Sequence, residues 1–138
     1  MRVLICGGRD YNDFGRVERA MEVVQDRYCA RATCIISGHA RGADRLGEDY
    51  AGMYDLKLEI YPAKWDVYGK SAGYKRNVQM AEEGKPNVIL AMPGGRGTDM
   101  MIKIGIDKKI DTVVVNKSED TLKWAYSKRR NSIEGNTE

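Results

Sequence analysis

The sequence predicts an α/β fold: a doubly wound, mainly parallel sheet of five strands with helices on both faces. Two observations carry that prediction. Short, continuous apolar runs recur along the chain, and uninterrupted apolar strands imply burial on both faces of a parallel sheet. Between them lie segments whose apolar residues recur every three or four positions, the signature of covering helices. A β-α-β-α order of this kind requires right-handed crossovers.

The elements follow in order. Val3-Leu4-Ile5-Cys6 is the first strand, and Phe14, Val17, Met21, Val24 and Tyr28 mark a helix after it, with Asp13 placed to cap its start. Cys34-Ile35-Ile36 is the second strand, followed by a helix through Ala43, Leu46, Tyr50 and Tyr54. Leu56 to Ile60 alternates apolar and charged residues, so it reads as a half-exposed or edge strand. A long loop carrying Trp65 and Tyr68 leads to a third helix through Tyr74, Val78 and Ala81, stopped by Gly84 and Pro86. Val88 to Ala91 is the fourth strand, and Met100, Met101, Ile104 and Lys108 mark the next helix. Val113-Val114-Val115 is the fifth strand, and Ser118 is placed to cap a last helix through Leu122 and Ala125. The pattern is Rossmann-like. It forms one domain over 1–127, and 128–138 reads as a polar, flexible tail that includes Lys128-Arg129-Arg130.

Composition narrows the function. The 138 residues suffice for one core, and a net charge of +3 is too mild to favour a nucleic-acid partner. No apolar run reaches membrane-spanning length. Cys6, Cys29 and Cys34 form no CxxC pair and no even-numbered disulfide framework, which suits a reducing cytoplasm. The chain begins without a secretory signal pattern, so the expectation is a soluble cytoplasmic protein. One histidine and scattered cysteines cannot supply an ordinary zinc cage, and no metal or cofactor is expected.

The chemistry is concentrated in three loops at strand ends. They are Gly7-Gly8-Arg9-Asp10, then Ser37-Gly38-His39-Ala40-Arg41-Gly42-Ala43-Asp44, then Pro93-Gly94-Gly95-Arg96-Gly97-Thr98-Asp99. In open parallel sheets, ligands bind outside the carboxyl ends of the strands. Glycine lets backbone N–H groups converge on an anion, and a following helix N-terminus adds a favourable dipole. Arg9, Arg41 and Arg96 each sit in such a loop and suit bidentate phosphate contacts. A β-branched side chain at Gly95 is expected to crowd the cradle and to resist a positive φ. Any one loop is equally explained as a tight turn, but three of them, each with its arginine, point to a phosphate-bearing ligand. The first loop carries neither the P-loop nor the Gly-x-Gly-x-x-Gly pattern, which argues against an ordinary NTPase or NAD-linked dehydrogenase.

These three loops, with Pro62-Ala63-Lys64-Trp65, Tyr68-Gly69-Lys70-Ser71-Ala72-Gly73 and Arg76-Asn77-Val78-Gln79-Met80, resemble the YspA/YpsA-related branch of the SLOG superfamily. The resemblance covers about residues 1–116. It implies a Rossmann-like protein that binds nucleotides or nucleotide-derived molecules, from bacteria or their phages. The lonely-guy-type phosphoribohydrolases of that superfamily carry Pro-Gly-Gly-x-Gly-Thr-x-x-Glu, with a catalytic final carboxylate. Here the glycine half is present, the glutamate position is Met101, and Asp99 is displaced by two residues.

The expected ligand-binding residues are therefore Gly7, Gly8, Arg9, Ser37, Gly38, His39, Arg41, Gly42, Asp44, Trp65, Lys70, Arg76, Asn77, Pro93, Gly94, Gly95, Arg96, Gly97 and Thr98. Each has a plainer reading. His39 is the sole histidine in a polar loop, Asp44 suits a helix start by its charge alone, and Trp65 and Tyr68 can cover core instead of stacking on a base. Met100, Met101 and Ile104 read as core or subunit interface. The leading function is binding of a nucleotide-like small molecule, in a chain that can pair as a homodimer or higher homo-oligomer. A phage-encoded version would sequester a defence signal in the host cytoplasm. The second reading is an N-glycosidic hydrolase using Asp44, Glu48 or Asp99, and the third a nucleic-acid-processing accessory.

Overall fold

A computed structural model describes residues 1–118 and 121–128. Six strands form one sheet: β1 (Arg2–Cys6), β2 (Cys34–Ser37), β3 (Lys57–Ile60), β4 (Val88–Ala91), β5 (Asp111–Val115) and β6 (Leu122–Tyr126). Their order is β3-β2-β1-β4-β5-β6. The first five are parallel, and β6 runs antiparallel to β5. From β1 the chain first winds outward through β2 and β3, then returns to add β4 on the other side. The order reverses between β1 and β4, which creates a crevice at their carboxyl ends.

Alternation along the strands builds two cores. On one face Val3, Ile5, Ile35, Leu90 and Val113 meet Val17, Met21 and Val24 of α1 (Phe14–Tyr28) and Ala43 and Tyr50 of α2 (Ala43–Met53). On the other, Leu4, Ile36 and Ile89 meet Met80 and Ala81 of α4 (Ala72–Glu83) and Met101 and Ile104 of α5 (Arg96–Asp107). Asp13 caps α1 as its position predicts, its carboxylate accepting the Arg16 N–H at 3.1 Å. The alternating run places β3 at the sheet edge, and Cys6 and Cys34 are buried as small apolar residues.

Three expectations are corrected. The sheet has six strands, because the segment expected as a last helix is β6. Leu122, Trp124 and Tyr126 alternate with exposed Lys123 and Ala125, a period of two that pairs with the free edge of β5. Trp124 meets Tyr28 edge to face at 6.0 Å, so the strand covers the sheet's outer end. The Trp65 loop is also more ordered than expected: α3 (Trp65–Tyr68) and a 3-10 turn over Gly69–Ser71 lead directly into α4. The third correction, at Gly95, belongs to the site. Ser118 closes a turn through the Asn116 side chain and caps no helix. The Lys128 N–H donates to Asp111 at 2.7 Å, while Arg129, Arg130 and the rest of the expected tail lie outside the described residues.

A candidate nucleotide pocket at the switch point

The three glycine loops converge on the carboxyl ends of β1, β2 and β4, and Gly8 ties them together. Its N–H donates to the Pro93 carbonyl at 2.9 Å, and its own carbonyl accepts the Ala43 N–H at 3.1 Å. Two glycines exist for this closeness. A Cβ on Gly42, whose φ is +82°, would stand 2.2 Å from the Gly8 oxygen, and one on Gly94 would stand 2.1 Å from the Thr98 hydroxyl. With the Gly8 nitrogen also 2.7 Å from that Gly94 position, Gly42 and Gly94 bring backbone against backbone, and neither lines the cavity. Pro93 has the same role through its carbonyl.

The knot leaves a pocket of about 450 Å³ above β1 and β4. Gly7, Gly8, Arg9, Asp44, Trp65, Lys70, Arg76, Asn77, Gly95, Arg96, Gly97 and Thr98 line it, all of them positions expected from the sequence. Its size is that of an ordinary small-molecule site. At one wall α5 begins with Gly95, whose side supplies no capping group. The first N–H groups of a helix have no partner within it, so this end is rich in unsatisfied donors. The Gly95 expectation is corrected in its backbone part: its φ is −108°, not positive, and a Cβ placed on it meets no protein atom within 4 Å. The space beside it is the pocket itself.

The cations differ in how they are held. Arg9, Lys70 and Arg96 make no hydrogen bond or ion pair within the described residues, although Arg9 lies 5.9 Å from the centre of the Trp65 ring. Arg76 is built into the wall. It donates to the Gly38 carbonyl at 2.5 Å and to the Asn77 side-chain oxygen at 2.9 Å. Burial lowers its pKa, opposed by the nearby Asp44 carboxylate. Asp44 is itself 7% exposed, and burial pushes its pKa up to about 6. The Ala40 N–H, donating at 3.1 Å, and the Arg76 charge oppose that rise. A carboxyl group so placed is half protonated near pH 6, within reach of proton-transfer chemistry.

The other expected residues fall elsewhere. Ser37 is fully buried, its hydroxyl donating to Glu48 at 2.8 Å with the Asp44 carbonyl 3.2 Å away. The same Glu48 carboxylate meets His39 Nδ1 at 2.8 Å, and Arg45 stands 3.3 Å from the opposite ring nitrogen. His39 holds φ of +63°, fixed by this contact and by its N–H donating to Ser37 at 3.0 Å. Glu48 is therefore occupied in shaping the second loop. His39, Gly38 and Arg41 line a neighbouring cavity with Pro62 and Ala63. Asp99 is exposed and lies outside the pocket lining, whereas Met101, at the glutamate position of the phosphoribohydrolase pattern, is buried in its floor.

Sequence reasoning missed part of the wall. Cys6, Met80, Met100 and Met101 make an apolar floor, and Gly73 and Tyr74 open α4 beside Trp65. Gly73 entered the sequence reading only as the end of a stretch that carries the family resemblance. A Cβ there would stand 3.3 Å from the Trp65 ring, so glycine lets the indole lie against α4. Burial strongly raises the Cys6 thiol pKa, which keeps it protonated as an apolar neighbour.

Fold and site together define a Rossmann-like α/β protein with a glycine-walled pocket at the topological switch point. The sequence profile of the YspA, cpYpsA-related SLOG family matches residues 1–68, which include the first two glycine loops and Trp65. The Gene 61 protein of Mycobacterium phage D29 is 36% identical over 102 residues, covering 69% of this chain and 78% of that protein. No solved structure matches the chain. The protein belongs to the YspA, cpYpsA-related SLOG family. Membership suggests nucleotide-related ligand binding and no more specific activity. Among the described residues, no helix is long and apolar enough to cross a membrane.

Proposed function

We propose that the protein binds a phosphorylated, nucleotide-derived small molecule in the switch-point pocket, its phosphate resting on the N-terminus of α5. The observation that supports this best is the open helix end beside unpaired cations. Gly95 leaves the first turn of α5 accessible, and Arg96, Arg9 and Lys70 face the same cavity without hydrogen-bond or ion-pair partners among the described residues. An anion there gains the helix dipole, backbone donors and charge-assisted hydrogen bonds together. The floor of Cys6, Met80 and Met101 offers an apolar seat for a base or sugar, and Trp65 offers a flat ring at the mouth.

A panel of nucleoside mono- and diphosphates, with the unphosphorylated nucleosides as controls, tests the reading by thermal shift. A ligand at a hundredfold excess over its Kd stabilises by about 2.7 kcal/mol, so true binders raise Tm visibly and the nucleosides far less. Absence of a shift across the whole phosphorylated panel overturns the reading.

One observation favours a second reading, a nucleotide N-glycosidic hydrolase. Asp44 lies in the pocket with its carboxyl raised to about 6, suited to giving or taking a proton. Asp99 and Glu48 lack that position, and Met101 provides no carboxylate. Binding without turnover is the expected outcome. Release of free base from a nucleoside monophosphate, abolished in Asp44→Asn, would make the hydrolase reading the correct one.

A further inference from the structure

A second cavity of about 540 Å³ adjoins the first and shares Arg9, Ala40, Trp65 and Arg76 with it. The two differ in chemistry. The first has an apolar floor, the Asp44 carboxylate and the start of α5. The second is lined by Gly38, His39, Arg41, Pro62 and Ala63 besides the shared residues, with no carboxylate in its lining. Its acidic neighbours are already engaged: Glu48 holds His39 from behind, and Asp10 meets Arg41 at 3.3 Å with both side chains largely in solvent. Each cavity by itself has the size of an ordinary small-molecule site. The wall between them carries two guanidinium groups, and a flat indole faces both sides.

We propose that the two cavities are halves of one site, and that the ligand is a two-headed nucleotide: two nucleoside-sized groups joined through phosphates. The phosphate linker runs from the start of α5, where one phosphate rests, to the shared wall beside Arg9, with the Arg76 guanidinium, itself held by Gly38 and Asn77, behind it. One head occupies the apolar floor beside α5. The other lies over Pro62, Ala63 and the Trp65 ring, within reach of Arg41. Binding of both heads by one molecule makes the second contact intramolecular, so the linked ligand exceeds either half in affinity. This inference rests on the pocket reading above and names the ligand class that fits it.

Titration calorimetry with 5′-phosphates and pyrophosphate-bridged dinucleosides of adenosine and guanosine tests it. The bridged molecule is expected to bind one per chain and about tenfold or more tighter than the monophosphate of the same base. In Arg41→Ala the ratio of those two affinities should fall toward unity. Ala63→Trp, which fills the second cavity from a half-buried position, should lower it as well, with melting curves confirming that both variants fold. Equal affinity of mono- and dinucleotide for the parent protein overturns the two-headed ligand and leaves the pocket reading standing. A ratio that survives both substitutions also overturns it, since the second head would then lie elsewhere. Failure of every nucleotide to bind overturns both readings together.

Discussion

The starts of α2 and α5 look alike in the sequence and differ in space. Each follows a glycine-rich loop at a strand end, with an arginine within the loop and an aspartate in the helix's first turn. At α2 the protein satisfies itself. The Ala43 N–H goes to the Gly8 carbonyl, the Asp44 carboxylate takes the Ala40 N–H, and Gly42 is pressed against the first loop. At α5 the first turn is open on one side: Thr98 is buried, but Gly95 has free space where a side chain would stand, and Asp99 is exposed. Glycine at α2 serves close backbone packing, whereas glycine at α5 leaves room for a ligand. The same residue type answers two different physical demands.

The sharpest way to break this comparison is to add one methyl group at each start. Gly42→Ala puts a Cβ 2.2 Å from the Gly8 oxygen in a left-handed conformation. It should cost about 3 kcal/mol or more in denaturant unfolding. Gly95→Ala should stay within about 1 kcal/mol, since only the modest capping preference is at stake. Equal losses at both positions would erase the distinction.

Asp44 gives the next effect. Its carboxyl is raised from 3.8 to about 6, so the folded state binds its proton more tightly than the unfolded chain. The associated stability is fully present below about pH 4 and is lost as pH rises through about 6, amounting to roughly 3 kcal/mol. Glu59, lowered chiefly by its hydrogen bond from Arg2, acts in the opposite sense and at lower pH. The difference between parent and Asp44→Asn unfolding free energies, followed from pH 4 to 7, isolates the Asp44 slope. A flat difference curve would mean that the carboxylate is better solvated than its burial implies.

Arg96 sharpens the α5 half. Arg96→Ala should leave Tm nearly unchanged, because the side chain is exposed and unpaired among the described residues. It should weaken binding of a phosphorylated nucleotide by about 1.5–3 kcal/mol, measured calorimetrically. Arg96→Lys should recover only part, since an ammonium lacks the planar fork. Unaltered binding in Arg96→Ala would place the phosphate away from this helix start.

The smallest effect is expected at Asp99. Removing a first-turn acid from α5 costs about 0.3–1 kcal/mol through the helix dipole, and Asp99→Ala should do no more. Binding should be unchanged or slightly tighter, since a negative charge leaves the neighbourhood of the anion. A large loss of binding or turnover would restore Asp99 as a site carboxylate.

The sequence by itself determined the alternation of strands and helices, the three loops at strand ends and most of the pocket's lining. Those features are local: apolar periodicity, caps such as Asp13, and glycine clusters are written in neighbouring residues. It also identified the family, because the loop motifs are contiguous. Only the tertiary structure decided what depends on partners distant in the chain. Leu122–Tyr126 became a strand because the edge of β5 offered hydrogen bonds that a helix would have left unused. Glu48, a candidate for chemistry by residue type, was committed to Ser37 and His39 by the packing of α2 on β2. Gly94 and Gly95 are adjacent and identical in sequence, yet a Cβ on the first would stand 2.7 Å from the Gly8 nitrogen of the first loop, while the second borders the cavity. That difference arises from which atoms of other segments come within 3 Å, and no local pattern encodes such a distance.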